Sequence, residues 1–286
     1  VVAGKDLFQS AGNETKQFRI TVDQTGSQLG TLPVSLALSG VESNSNRAVQ
    51  SNSGGANVIS QSPANLQITD VRTSRPTVTA GQTNPWTVTV VVQNGGQSQV
   101  ALKTDGSTNL RFRLNSIFQN DYDFALQPAN WLGSNSLILA GNATDSLRFS
   151  INTTGGNSGV PELWVTVNAT GSNSQTKITG ADNGSTSFQV QTAPQISYIA
   201  NSMLPDIVNN NGFYAFTVRV NNAGQSAVML QPAITTFEFS DGTNDIIATL
   251  DANKVTTIPG GDTTLTFEQV QIPARMAQQN YTPTVK

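Results

Sequence analysis

Hydrophobic and polar side chains alternate with a period of two along much of this chain. In PWTVTVVVQ (85–93) one face carries Trp86, Val88, Val90 and Val92, and threonines lie between them. Successive side chains of a strand point to opposite sides, so the pattern predicts a half-buried β-strand. The pattern recurs in LRFRL (110–114), SLRFSI (146–151), ELWVTV (162–167), FYAFTVRV (213–220) and TFEFS (236–240).

Turn sequences separate these predicted strands. They include NGG, TDGS, AGN, TGGNSG, SDGT and PGGD, which supply the glycine, asparagine and aspartate that tight turns favour. Because the segments also lack the 3.6-residue period of an amphipathic helix, we expect short antiparallel strands throughout. Many short strands with such turns are typical of β-sandwiches.

One phrase occurs twice in the chain. VVVQNGGQSQVALK (90–103) returns as VRVNNAGQSAVMLQ (218–231), which places Gln97 and Gln225 at corresponding positions. A second phrase, a glycine turn followed by a strand with an aromatic residue, occurs three times and carries Phe18, Phe149 and Phe267. Self-similarity at a fixed period indicates tandem structural units.

The repeats predict an all-β fold of tandem immunoglobulin-like antiparallel β-sandwiches. Residues 1–62 match the second half of a unit, residues 63–192 form a complete unit, and residues 193–286 form a unit that lacks its last strand or strands. We expect the incomplete parts to be completed by neighbouring sequence or by another subunit. The chain then reads as an excerpt of a longer array.

The repeated NGGQS and NNAGQS segments are predicted to form the corner at which the chain leaves a core strand and crosses to the other sheet. Glycine adopts positive φ angles at little steric cost. We therefore predict positive φ angles at Gly96 and Gly224.

A family resemblance rests on the first copy of this motif. VTAGQTNPWTVTVVVQNGGQSQV (78–100) resembles the CARDB-type module of bacterial and archaeal cell-surface proteins, which has an "aG" turn, a V-x-V-x-V strand and an N-x-G-x-S corner. In the second copy (207–228) NNN replaces the TAG turn. The resemblance implies an adhesion-related or stalk-forming immunoglobulin-like module, and it transfers no catalytic residue.

Composition narrows the function further. Of 286 residues, 37% are hydrophobic and 12% are charged, the net charge is −3, and there is neither cysteine nor histidine. These facts exclude disulfides, cysteine nucleophiles, Ser-His-Asp triads and the common zinc sites. The small net charge and scattered basic residues give no nucleic-acid footprint, and the apolar stretches are too short for a membrane helix. We predict that the chain is not an enzyme and needs no cofactor, calcium being the exception considered next.

Two oxygen-rich segments, DGSTN (105–109) and DGTND (241–245), lie at related places in the two units. Calcium prefers oxygen ligands, which these segments could supply from Asp105, Asn109, Asp241, Asn244 and Asp245. The alternative is an Asp-Gly hairpin turn, which needs no metal.

Five N-x-[ST] sequons are candidate glycosylation sites, at Asn13, Asn142, Asn152, Asn168 and Asn183. Three tryptophans raise the question of carbohydrate stacking. Trp86 and Trp164 lie in predicted strands and are expected in the core, whereas Trp131 lies in a predicted loop and is the candidate exposed stacking residue.

Two main functions remain open, and a third, an enzyme accessory domain, would need a catalytic domain elsewhere in the full protein. The first is a structural repeat region of an extracellular or cell-surface protein, forming a stalk, fibre or filament and self-associating through strand edges with neighbouring repeats or subunits. The second is an adhesin or carbohydrate-binding module whose loops, such as 115–136 or 153–160, contact glycans or other cell-surface molecules.

Overall fold

The computed structural model describes residues 28–51, 55–127, 131, 133, 136–200, 202–209, 211–240, 245–250, 257–274 and 284–285. Regular structure in these residues consists of β-strands, which pair in antiparallel sheets apart from one parallel pair. The predicted all-β class is therefore confirmed. The described ranges contain no helix with the length and apolarity needed to cross a membrane.

The chain divides into two compact units, Val1–Ser62 and Pro63–Lys286. The strands of the first unit are β1 (Gly30–Ser35), β2 (Leu38–Val41), β3 (Ala48–Ser51) and β4 (Gly55–Ser60). Strand β1 pairs with β4 and β2 pairs with β3. These four strands thus form one long antiparallel hairpin, which we call the N-terminal hairpin.

In the second unit, the first group of strands encloses one hydrophobic core, and we call this group the first sandwich. Its strands are β5 (Leu66–Thr73), β6 (Thr77–Thr79), β7 (Trp86–Asn94), β8 (Val100–Leu102), β9 (Asn109–Leu114), β10 (Ile117–Gln119), β11 (Asp123–Leu126), β12 (Ile138–Leu139), β13 (Thr144–Thr153), β14 (Glu162–Gly171), β15 (Lys177–Ser187) and β16 (Gln189–Gln191).

Two main sheets build the first sandwich. One has the order β10-β9-β14-β8-β12, with β15 paired to β14, and the other has the order β11-β13-β7-β5. The inward positions of β7 and β14, such as Val88 and Val165, meet in a common core. Burial of alternate side chains from both sheets is the main stabilising contribution in such an arrangement.

The remaining strands enclose a second core, and we call them the second sandwich. They are β17 (Ile196–Tyr198), β18 (Phe213–Asn222), β19 (Val228–Met229), β20 (Thr236–Ser240), β21 (Asp245–Thr249), β22 (Thr257–Ile258), β23 (Gly261–Gln271) and β24 (Thr284–Val285). The strand orders are β17-β18-β23, β21-β20-β24 and β19-β22. Stacked and tilted phenylalanines at positions 216, 237 and 267 fill its centre.

Corresponding strands pair in the same register in the two sandwiches. Phe149 of β13 lies opposite Val88 of β7, and Phe267 of β23 lies opposite Phe216 of β18. Val88 and Phe216 are related by the 128-residue offset of the sequence repeat. The aromatic residue of the repeated glycine-turn phrase therefore has the same neighbour position in both sandwiches.

The corner after the core strand is built in the same way twice. In the first sandwich the buried Asn94 accepts hydrogen bonds at Oδ1 from the N–H groups of Asn65 and Gly96, both at 3.1 Å, and its Nδ2 donates to Ser98 O at 2.8 Å. The chain then passes from β7 to β8, in the opposite sheet. The predicted sheet-to-sheet crossing is confirmed here.

In the second sandwich Asn222 repeats these contacts. Its Oδ1 accepts from the N–H groups of Gln195 and Gly224, both at 3.0 Å, and its Nδ2 donates to Ser226 O at 2.8 Å. A buried amide that satisfies both its oxygen and its nitrogen explains why asparagine recurs at this place, because an unpaired buried polar group is costly.

The predicted positive φ angles at Gly96 and Gly224 are wrong. Neither residue is in the left-handed region, and the space beside the backbone explains why glycine occurs there instead. A Cβ atom on Gly96 would lie 1.9 Å from Pro63 O, and one on Gly224 would lie 2.0 Å from Ala193 O. Close approach of another backbone segment, not an unusual φ angle, therefore requires glycine at both corners.

Candidate functional site

The predicted calcium ligand Asp105 takes part in its own turn. Its Oδ1 accepts hydrogen bonds from Ser107 Oγ at 2.6 Å and from Ser107 N at 3.1 Å, and Gly106 has a φ angle of 82°. The hydrogen bonds from the Ser107 hydroxyl and amide lower the pKa of the Asp105 carboxyl. The contacts of Asp105 are those of an Asp-Gly turn.

Two of the other predicted ligands lie at the ends of different strands. Asn109 begins β9 and Asp245 begins β21, whereas Asp241 and Asn244 lie outside the described residues. Within the described ranges no three aspartate or glutamate side chains group together as a metal site would require. Calcium binding at Asp105, Asn109, Asp241, Asn244 and Asp245 stays a prediction.

The sequons differ in accessibility. Asn142, at a φ angle of 58°, Asn152 and Asn183 are exposed, and Asn13 lies outside the described residues. Asn168 is only 3% exposed; its Nδ2 donates to Ser107 O and its Oδ1 accepts from Thr179 Oγ1. A glycan is bulky and needs a surface position. The prediction of a glycosylation site at Asn168 is therefore wrong for the folded chain.

The tryptophans also exchange their predicted positions. Trp131 is 0% exposed and packs in the core of the first sandwich, so its ring offers no face to a ligand. The prediction that it is exposed is wrong, because its side chain is buried in the core, and residues 117–119 and 123–126 of the presumed loop form strands β10 and β11. Trp86 is in the core as predicted, with its Nε1 donating to Thr154 Oγ1 at 3.0 Å.

Trp164, predicted in the core, lies on the outer face of β14. The alternation of ELWVTV already contains this signal, since Leu163 and Val165 face inward and Trp164 shares the opposite face with Glu162. A register shift between Leu163 and Trp164 also occurs in the pairing of β14 with β15. Such bulges re-aim side chains and often lie beside functional sites.

Around Trp164 lies a group that we call the arginine–aromatic cluster, formed by Arg111, Arg113, Phe118, Glu162 and Trp164. The Phe118 and Trp164 rings meet edge to face, with their centroids 5.4 Å apart. The Arg111 guanidinium lies 3.5 Å from the Phe118 ring centroid, and the Arg113 guanidinium lies 5.0 Å from the Trp164 ring centroid. Trp164 Nε1 donates to Glu162 Oε2 at 3.3 Å. Cation–π contacts of this kind stabilise a partly exposed site and combine apolar rings with charged hydrogen-bond donors.

A second group of polar side chains joins the two sandwiches directly. Gln225 and Thr192 form reciprocal hydrogen bonds: Thr192 N donates to Gln225 Oε1 at 3.1 Å, and Gln225 N donates to Thr192 Oγ1 at 2.9 Å. Ser226 N donates to Thr192 O at 3.1 Å, and the Ser226 hydroxyl lies 2.5 Å from the Thr79 hydroxyl of β6. We call these residues, Thr79, Thr192, Gln225 and Ser226, the joint.

The joint is short because β16 ends at Gln191 and Thr192 follows at once. Sequence reasoning aligned Gln225 with Gln97 as a repeat position but did not assign it a contact. The joint is polar and partly exposed, so it has no hydrophobic pattern by which sequence analysis would find it.

Comparison with protein-family models and with curated proteins found no match. Solved structures gave distant likenesses: the secreted serine protease VesC from Vibrio cholerae (12% identity, 87% of this chain, TM-score 0.26) and a protein of unknown function from Porphyromonas gingivalis W83 (13% identity, 73% of this chain and 83% of that chain, TM-score 0.27). The YadV chaperone is a third (10% identity, 76% of this chain and 100% of that chain, TM-score 0.21). This chain spans 63% of the length of VesC. Likenesses at this level establish neither a common fold nor a common function.

Proposed function

We propose that this chain is a structural segment of an extracellular or cell-surface protein, in which tandem immunoglobulin-like sandwiches form the stiff part of a stalk or fibre. The CARDB-type resemblance and the polar composition with little charge support this proposal. So does the repetition of one corner, bond for bond, in successive sandwiches. In a tandem array each unit contacts mainly its neighbours, and stiffness depends on the contacts between them.

The joint is the observation that carries the proposal. A linker between independent domains is normally flexible, and its domains move relative to each other unless an interface holds them. Here no linker separates the sandwiches: the reciprocal Thr192–Gln225 hydrogen bonds begin one residue after β16 ends. Each such bond contributes only about 0.5–1.5 kcal/mol, but together they limit bending at the one place where a rod of this kind would bend.

No catalytic function forms part of this proposal. The chain contains no histidine or cysteine. The polar groups described above hydrogen-bond to other protein groups: the corner amides and the Asp105 turn do so within their own sandwich, and the joint does so between the two sandwiches. We likewise propose no resident cofactor.

The proposal is tested by measuring the distance between spin labels on the two sandwiches. Because the chain has no cysteine, the exposed positions Arg148 and Ile247 can be changed to cysteine and labelled without background. We expect double electron–electron resonance to give a narrow distribution of distances between the two labels. Gln225→Ala combined with Thr79→Ala should broaden it.

Gln195→Ala is the matched control for this experiment. Gln195 is also exposed and near the joint, but it takes part in the Asn222 corner through its backbone N–H. Its substitution should leave the distance distribution narrow. A broad distribution in the unsubstituted chain would contradict the stiff-segment proposal.

The arginine–aromatic cluster favours a second candidate function, an adhesin that binds saccharides on the outer sheet face. Saccharides stack on aromatic rings and accept hydrogen bonds from arginine, and Trp164, Arg111 and Arg113 combine both features. On a glycan array we expect Trp164→Ala to abolish binding, with Arg148→Ala, on the outer side of the other sheet, as the control. Equal binding by the Trp164→Ala variant and the parent chain would exclude this candidate.

A further inference from the structure

The arginine–aromatic cluster occupies one outer sheet face of the first sandwich. Trp164 of β14 lies opposite Arg111 of β9 on one side and opposite Asn183 of β15 on the other. Arg113 of β9 lies opposite Phe118 of β10. Residues directly opposite each other on paired strands share one side of the sheet. The Trp164 ring is therefore bordered by a guanidinium group and by an amide group on the same open surface.

The cluster has an excess of positive charge. Arg111 and Arg113 contribute two cations, and Glu162 contributes the single carboxylate. Glu162 Oε2 lies 3.8 Å from Arg113 Nη1 and accepts a hydrogen bond from Trp164 Nε1. Glu162 thus balances the charge of Arg113 and fixes the edge of the Trp164 ring, which leaves Arg111 as the excess cation.

Arg111 presents hydrogen-bond donors that the described part of the chain does not use. The central carbon of its guanidinium lies 3.5 Å from the Phe118 ring centroid, a distance at which only a flat approach avoids a clash. Among the described residues none forms a hydrogen bond or an ion pair with this guanidinium. A guanidinium has five N–H donors in one plane, and a cation–π contact orients that plane without engaging them.

The geometry of the sheet favours a ligand that is recognised by side chains alone. Trp164 has a paired strand on each side, so a peptide cannot add as a further strand beside it. An exposed aromatic ring offers a sugar ring a surface for stacking. A guanidinium binds a carboxylate through paired hydrogen bonds. A doubly charged phosphate suits the site less well, because the Glu162 carboxylate would repel it.

We propose that the arginine–aromatic cluster binds an acidic polysaccharide whose sugars each carry one carboxylate, the class of the polyuronates. Arg111 binds the carboxylate, Trp164 stacks on the sugar ring, and Glu162 disfavours ligands of higher negative charge. The cluster lies on an open sheet face, so it can accept a sugar from within a long chain. The inference rests on the second proposed function, saccharide binding, and names the class of saccharide.

Titration of the full chain with a matched pair of ligands tests the role of the carboxylate. The probe is trigalacturonate, and its methyl ester has the same sugar rings without the charge. By isothermal titration calorimetry we expect the ester to bind at least about tenfold more weakly, because it cannot accept the charge-assisted hydrogen bonds of Arg111. Tryptophan fluorescence locates the site: Trp86 and Trp131 are only 2% and 0% exposed, so a surface ligand should perturb Trp164.

Substitutions of single charges assign the effect to residues. Arg111→Gln should weaken trigalacturonate binding about tenfold or more. Arg148→Gln removes the same charge from the outer face of the other sheet and should leave binding unchanged. Glu162→Gln should strengthen binding about two- to fivefold, because it removes a like charge and keeps an oxygen that can accept from Trp164 Nε1.

Several results would overturn the inference. Equal affinity for trigalacturonate and its ester, with both lost in Trp164→Ala, would overturn the acidic class and leave saccharide binding standing. Absence of binding to either ligand would also overturn it, while the glycan array decides the saccharide function separately. Equal losses in Arg111→Gln and Arg148→Gln, weaker binding by Glu162→Gln, or equally tight binding of a triglutamate peptide would contradict the proposed recognition of a carboxylate sugar.

Discussion

The two sandwiches share their corners but differ at one edge, and this difference separates what each sandwich needs internally from what its neighbouring strands provide. Asn94 and Asn222 are buried in the same way, at 0% and 2% exposure. At the edge, Leu66 is buried and its counterpart Ile196 is exposed, because β15 runs beside β5 and no described strand occupies that place beside β17. The corner is thus an internal requirement of each sandwich, whereas burial at the edge depends on whether another strand runs beside it.

The largest effect is expected from the corner glycines. Gly96→Ala and Gly224→Ala would each place a Cβ atom within about 2 Å of a backbone oxygen, which real structures do not tolerate. We expect each variant to lose about 3 kcal/mol or more of unfolding free energy, because the added methyl group would displace the residues just before β5 or just before β17. Equal losses of unfolding free energy at the two glycines would show that the two corners are alike in energy as well as in geometry.

These losses can be assigned to each sandwich separately. All three tryptophans, at positions 86, 131 and 164, lie in the first sandwich, so tryptophan fluorescence follows its unfolding alone. Amide hydrogen exchange follows the second sandwich. Gly95→Ala is the control, because its Cβ would have its nearest neighbours at 3.8 Å, an ordinary contact. If Gly95→Ala is as damaging as Gly96→Ala, close backbone approach is not the reason for the glycine.

An intermediate effect is expected from the corner asparagines. Asn94→Ala leaves the N–H groups of Asn65 and Gly96 and the carbonyl of Ser98 without their partner, and Asn222→Ala does the same in the second sandwich. Leaving buried polar groups unpaired costs about 1–3 kcal/mol. Chemical denaturation should show this loss for both variants, with the exposed Asn152→Ala within about 0.5 kcal/mol of the parent chain. A large loss at one corner and none at the other would show that the repeated sequence does not carry a repeated energetic role.

Sequence patterns predicted the strands and the repeat because both are local. The predicted strand TFEFS coincides with β20, Thr236–Ser240, and the alternating positions of 86–92 face the core as expected. The reason for glycine at position 96 could not be read locally, because the obstructing atom, Pro63 O, belongs to a segment distant in sequence. Trp131 was misplaced for a similar reason: a stretch rich in turn residues looks like an exposed loop unless one knows that its ring fills the core.

The candidate sites were less predictable than the fold. The joint depends on side chains of Gln225, Thr192 and Thr79, which come together only when two sandwiches are placed end to end.

The smallest expected effect is a difference between the two sandwiches in how their stability depends on pH. In the first sandwich, burial, and secondarily the nearby Asp121 charge, raise the pKa of Tyr122, whose ring stacks on Phe112 at 3.8 Å. The raised pKa means that above pH 10, the ordinary value for tyrosine, the folded chain retains a proton that the unfolded chain releases. Stability of the first sandwich is therefore complete below that pH and falls as the pH rises above it, by at most about 1.4 kcal/mol per pH unit for one proton.

Tyr122→Phe removes this titration while keeping the stacked ring. We expect urea denaturation followed by tryptophan fluorescence to show a shallower alkaline loss in the variant than in the parent chain, with the two equal near neutral pH apart from a constant offset. The second sandwich, followed by hydrogen exchange, should respond to alkali identically in both proteins, because Tyr122 lies in the core of the first sandwich. If the stability measured by tryptophan fluorescence falls equally with rising pH in the parent chain and the variant, Tyr122 titrates alike in the folded and unfolded chains. The contrast between the two sandwiches would then not exist.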